Sequence, residues 1–201
     1  MSIIFRIFAV PKQDIMKKVC LLVVGLMLAA SGFSQNRSQI PPIQWYSFED
    51  ALTLNAERAA YGLPPRKIFV DVYTDWCGWC KRMDATTFAH PVIADKLNTL
   101  WIPVKINAER KDTVIINGQT FVNENPASPH SPHQLAVALL NGNLGYPSFA
   151  LIDETGRPIQ ILQGFQQAPQ LEVILEFFGS NAYRDTGWED FQQTFQGVVR
   201  E

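Results

Sequence analysis

The sequence predicts a compact α/β sandwich, and three observations carry the prediction. Helix and strand patterns run in the order strand, helix, strand, then two strands joined by a tight turn, then a closing helix. The first long strand pattern is β-branched and aromatic throughout, as in a sheet buried on both faces. The 201 residues are 47% apolar and 18% charged, enough for one domain and a targeting segment but short for two domains.

Residues 1–34 read as an N-terminal extension and signal peptide. Met16-Lys17-Lys18 gives a short basic region, with Met16 as a second possible start, and Val19 to Ala30 is an apolar run of twelve residues. Gly32 and Ser34 then stand at the −3 and −1 positions of a cut between Ser34 and Gln35. The run is too short to span a bilayer, which takes roughly 20 residues; a buried N-terminal helix is the alternative. The expected location is the periplasm or another exported compartment, with no stable membrane insertion after cleavage. No cysteine follows Ala30 closely, so a lipid anchor is not expected. Cleavage removes four basic residues and one acidic one, moving the formal charge from −2 to −5. Nothing in that balance invites nucleic acid or an anionic surface.

Residues 35–43 read as a flexible lead and 44–201 as the folded domain, its core at 67–178. Gln44 to Tyr46 has the look of a short strand. Ser47 with Asp50 three residues on caps a helix to about Tyr61, ended by Gly62 and Pro64-Pro65. Ile68 to Tyr73 is the central strand, with Asp71 an anomaly in its middle. A helix should run from Cys77 to about Phe88, another from Pro91 to Leu97, and a second strand from Trp101 to Ile106. Thr113 to Val122 reads as a hairpin turning at Asn117-Gly118, followed by a loop from Asn123 to Pro132. Gln134 to Leu140 is helical. Ser148 to Asp153 and Pro158 to Leu162 are strands around Glu154-Thr155-Gly156, and Pro169 to Phe178 is an amphipathic helix. A final helix is expected over Trp188 to Val199, with Trp188, Phe191 and Phe195 on one face against the domain's own core.

The chemistry concentrates in Trp76-Cys77-Gly78-Trp79-Cys80-Lys81. The chain has three cysteines, and loss of Cys20 with the leader leaves only Cys77 and Cys80. A bridge across two residues does little to stabilise a fold by loop closure, which favours a chemical role. A C-x-x-C between a strand and a helix is expected to expose Cys77 on the first turn, where unpaired N–H groups favour a thiolate. Cys80, one turn inward, can resolve a mixed disulfide, and Gly78 leaves room for close approach. Half of a zinc site is the alternative, but two more ligands would be needed and no further cysteine exists. His130 and His133 read as solvated loop residues rather than metal ligands, so no metal is expected.

Val70 to Lys81, with Thr86 to Val92 and Gly145-Tyr146-Pro147, resembles the thioredoxin superfamily. It is most similar to the thioredoxin-like domain of DsbD-type disulfide reductases. The resemblance runs from about Lys67 to Phe178. It implies a three-layer sandwich with a central mixed sheet, here carrying an inserted hairpin and loop at about 111–132 and an extra C-terminal helix. It implies that Asp71 is the buried acid behind Cys80, exchanging its proton, and that Lys105 pairs with that acid. Asp84 matches an acid of the DsbD-type domain. Pro147 matches the cis-proline facing the dithiol, with Tyr146 offering its backbone to a substrate strand, and Gly164 resembles a glycine beside that groove. Trp79 departs from the proline usual in small thioredoxins. The implied activity is thiol–disulfide oxidoreduction on exported proteins, with no cofactor beyond the Cys77–Cys80 pair. Its electrons would come from a membrane donor of the DsbD kind. An oxidase or isomerase direction, or a non-catalytic peptide-binding module, stays open.

Overall fold

The computed structural model describes residues 40–200; the expected signal peptide, its expected cleavage point and most of the expected lead lie outside the described residues. In chain order the elements are α1 (Phe48–Ala60), β1 (Lys67–Tyr73), α2 (Gly78–Ala85), α3 (Pro91–Leu100), β2 (Trp101–Asn107) and the hairpin β3 (Val114–Ile116) and β4 (Gln119–Phe121). Then follow α4 (Gln134–Leu139), β5 (Ser148–Ile152), β6 (Pro158–Gln163), α5 (Ala168–Gly179), a 3-10 turn (Ala182–Arg184) and α6 (Trp188–Thr194).

The sheet order is β2-β1-β5-β6, with β1 parallel to β2 and the β1–β5 and β5–β6 pairs antiparallel. This is the mixed sheet of a thioredoxin-like three-layer sandwich. Side chains alternate along each strand and so feed two cores. Ile68, Val70 and Val72 of β1, with Ile102, Val104 and Ile106 of β2, pack toward Phe48 and Ala51 of α1 and Leu135 and Ala136 of α4. Phe69, Trp101, Phe149 and Leu151 face the other way, toward Met83 of α2, Ile93 and Leu97 of α3, and Leu171 and Leu175 of α5. Burial on both faces explains why the central strands read as continuous apolar runs.

Four expectations need correction. The strand at Gln44 to Tyr46 contracts to one bridge, Tyr46 with Val104; the chain before it is pinned by Asn98, whose amide donates to the Pro42 carbonyl at 3.1 Å and accepts from Gln44 N–H at 3.0 Å. The helix after Cys77 stops at Ala85 rather than Phe88. Thr87 turns its hydroxyl to the Gln166 carbonyl (2.7 Å) and Phe88 inserts edge-on beside Trp45, which a continuing helix would not allow. The last helix ends at Thr194, short of Val199. The backbone N–H groups of Val198 and Val199 go instead to the buried Glu172 carboxylate, at 2.9 Å each. Finally, His133 is no solvated loop residue: it is fully buried and caps α4, its Nδ1 accepting from Leu135 N–H (3.1 Å) while its Nε2 donates to the Asp112 carbonyl (2.9 Å).

The hairpin lies outside the main sheet as its own two-stranded unit. Asn117 (φ 50°) and Gly118 (φ 80°) both turn through positive φ, as a type I′ turn demands. Trp188 and Phe191 of α6 sit 5.2 and 5.0 Å from the Phe177 ring, so this aromatic face covers α5 of the same chain.

Candidate active site at the Cys77–Cys80 pair

β1, an interior strand, delivers the chain to one end of the sheet, and α2 begins after a short turn at 74–77. Cys77 is the N-cap residue of α2 in extended conformation, its N–H donating to the Thr74 carbonyl at 3.1 Å. Cys77 and Cys80 are joined as a disulfide, with Cα atoms 5.3 Å apart. Cys77 Sγ also accepts the N–H of Cys80 at 3.0 Å, so the helix start presents a backbone donor to this sulfur. Contrary to expectation Cys77 is buried, at 4% exposure, like Cys80. Bonded to a sulfur one turn inward, its side chain turns toward the helix rather than to solvent.

The exposed aromatic surface of the motif comes from its tryptophans: Trp76 and Trp79 are each 55% exposed. Trp79 packs against Phe165 in a tilted pair with ring centroids 5.4 Å apart, and the Arg82 guanidinium lies over both rings. Gly78 and Lys81 are exposed. A Cβ at Gly78 would meet no atom within 4 Å, so the chain's own packing does not require glycine there.

Asp71 shares the face of β1 with Phe69, the face that α2 covers. It is 2% exposed, and burial pushes its carboxyl from 3.8 up to about 6, against the opposing pull of Lys105. Parallel register sets Lys105 of β2 beside Asp71, and the two side chains meet at 3.1 Å. The Lys105 ammonium also bonds Asp84 of α2, so it ties β1 to the dithiol helix. Burial alone would lower its pKa, but Asp71 and Asp84 raise it. The rings of Trp45 and Tyr73 flank the same ammonium at 5.1 Å. One Asp71 oxygen, Oδ1, has no hydrogen-bond partner, which leaves a buried acceptor free for an exchanging proton.

The Tyr146–Pro147 peptide bond is cis. Tyr146 is half-buried, with its ring 6.0 Å from Trp76, which brings the cis-proline turn against the dithiol loop. Gly164, at φ 88°, donates its N–H to the Pro147 carbonyl at 2.9 Å. Its left-handed backbone is what calls for glycine, since a Cβ would have open space. The structure thus groups Cys77, Cys80, Trp76, Tyr146 and Pro147 at one end of the sheet, with Asp71, Lys105 and Asp84 linked beneath. Among the described residues no set of three or more His, Cys, Asp and Glu side chains could hold a metal.

Sequence reasoning missed Glu109, and read His130 only as a solvated loop residue. Glu109 accepts the Trp76 indole N–H at 2.7 Å and lies 2.9 Å from His130 Nδ1. Arg82 and Phe165, which flank Trp79, were equally invisible. Glu109, His130 and Phe165 meet the dithiol loop across long sequence gaps, whereas Arg82 lies one helical turn from Trp79.

A family model described as Thioredox_DsbH, Protein of unknown function, DUF255, matches residues 25–172. No curated protein matches the chain. Among solved structures it is similar to a thioredoxin from Thermus thermophilus, at 14% identity and TM-score 0.49, covering 78% of this chain and 100% of that one. It is also similar to a thioredoxin-fold protein from Helicobacter pylori, at 18% identity and TM-score 0.48, covering 65% and 81%. A third is the C-terminal domain of Neisseria meningitidis DsbD in the reduced form, at 22% identity and TM-score 0.41, covering 65% and 96%. The family match spans most of the chain, including the dithiol and the cis-proline turn, and the chain belongs to the Thioredox_DsbH family within the thioredoxin superfamily.

Proposed function

We propose that this chain is an exported thiol–disulfide oxidoreductase that reduces or exchanges disulfides in other exported proteins. The observation that carries the reading is the Cys77–Cys80 bond at a helix N-terminus, on the sheet end where Asp71 lies buried with one oxygen unpartnered. In the reduced protein, the Cys77 thiolate is stabilised by the Cys80 N–H and the α2 dipole. It attacks one sulfur of a substrate disulfide; a Cys77–substrate bond forms, the substrate S–S bond breaks, and the first substrate thiolate leaves. The Cys80 thiol gives its proton to the Asp71 carboxylate and attacks Cys77 Sγ, releasing the second substrate thiolate. Two electrons have passed to the substrate, and Cys77–Cys80 is the disulfide. An acid raised to about 6 holds and releases a proton near neutral pH.

Tyr146 and Pro147 would align a substrate strand over Cys77, with Gly164 fixing the turn and Gly78 leaving room. Trp76, Trp79 and Lys81 would line the approach, while Lys105 and Asp84 orient Asp71. Re-reduction needs a dithiol donor, for which a membrane protein of the DsbD kind fits an oxidising compartment. The same reading assigns residues 1–34 to the leader, with a cut before Gln35, and 44–201 to the working domain. An insulin-reduction assay with dithiothreitol as donor tests it. The wild type is expected to accelerate precipitation and Cys77→Ala to fall to the uncatalysed rate; equal rates for the two would refute the enzyme reading.

A further inference from the structure

We infer that His130, carried by the inserted loop, is a positioning residue that sets Trp76 as one wall of the substrate groove, so that the insert tunes which protein disulfides are accepted. The inference rests on the oxidoreductase reading and concerns the selectivity of the same site.

The loop is firmly rooted. Asn123, only 8% exposed, donates to the Arg110 carbonyl at 3.2 Å and the Ser131 carbonyl at 2.8 Å, while its Oδ1 accepts from Asn125 N–H and the Ser131 hydroxyl. One buried amide therefore ties the two ends of the loop together and to the end of β2. Arg110 is held in turn by Glu49 of α1 and by Asp112.

From this base the loop projects His130 in a left-handed conformation, φ 60°, which costs a non-glycine residue on the order of 1 kcal/mol and persists where contacts enforce it. Two contacts do so here. The His130 ring meets the Trp76 indole edge-on at 5.0 Å. Its Nδ1 lies 2.9 Å from Glu109 Oε1, the same oxygen that accepts the Trp76 N–H at 2.7 Å. Tyr146, next to the cis bond, contacts Trp76 at 6.0 Å. The indole that immediately precedes Cys77 is thus fixed by the end of β2, the cis-proline turn and the insert.

Trp76 remains 55% exposed, enough surface for an extended peptide running over Tyr146 and Pro147 toward Cys77. A small dithiol needs no such wall. His130 should therefore affect reactions with protein disulfides and leave reactions with small thiols alone, a split that a general loss of folding would not produce.

The test compares wild type with His130→Asn, which tolerates left-handed backbone but lacks the ring, and with His130→Ala. Each is assayed for kcat/KM in insulin reduction and for the rate at which dithiothreitol reduces Cys77–Cys80. Both variants are expected to lose about fivefold or more on insulin and to stay within about twofold on dithiothreitol. Tryptophan emission should change with His130→Asn in the wild-type background and not in a Trp76→Phe background. Unchanged insulin kinetics, or equal losses on both reagents, would overturn the role given to His130. Failure of the wild type itself to reduce insulin would instead reject the oxidoreductase reading.

Discussion

Folding carries the Asp71 carboxyl into the interior under α2, and its pKa rises from 3.8 to about 6. The folded state therefore holds the proton to higher pH than the unfolded chain does. The contribution to stability is complete below pH 4 and is lost as pH climbs through about 6, by about 3 kcal/mol for a shift of this size. Asp71→Asn, which keeps the shape and removes the titration, is expected to be about 2 kcal/mol more stable than wild type at pH 8 and nearly equal at pH 4. Urea midpoints at the two pH values measure this; a variant less stable at pH 8 would contradict it. Asp71 stood out in the sequence because a lone acid interrupts a run of apolar and aromatic strand residues. The burial of Cys77 did not, since exposure at a helix N-cap depends on where the sulfur is drawn by its partner. His133 looked like loop chemistry for a similar reason: its burial depends on the β4–α4 connection folding back so that its N–H reaches the Ala108 carbonyl.

Element boundaries were legible where a local signal sets them and misread where a distant side chain does. The Asn117-Gly118 turn and the Ser47 cap, whose hydroxyl accepts the Asp50 N–H at 3.0 Å, follow from neighbours in sequence. The end of α6 follows from Glu172 on α5, 26 residues before Val198, and no pattern in the last segment announces it. Gly179 is a comparable case. It is the last residue of α5, and a Cβ there would lie 2.9 Å from Trp101 Nε1 and 3.1 Å from a Leu100 methyl. Trp101 is fully buried, with its indole N–H donated to the Leu175 carbonyl, and cannot retreat freely. Gly179→Ala is expected to cost about 1–3 kcal/mol. Thermal unfolding compared with Gly142→Ala, strained at φ 80° but with open space around it, checks that overpacking at Trp101 is the cause.

At the scale of the molecule, one sheet divides two cores and brings the end of β1, the start of α2 and the turn before β5 to one end of the strands. The order of elements along the chain and the dithiol were readable from short runs, and the mixed sheet with its buried acid and cis-proline followed from the resemblance those runs carry. The wall around the dithiol was not, because it joins Trp76 to Glu109 across 33 positions and Glu109 to His130 across 21. The central claim is that Cys77–Cys80 is a working redox couple and not a structural staple, and its equilibrium with glutathione tests this most directly. Reversible exchange with a potential between about −270 and −120 mV is the predicted result, and a bond that resists glutathione, below about −300 mV, would contradict it.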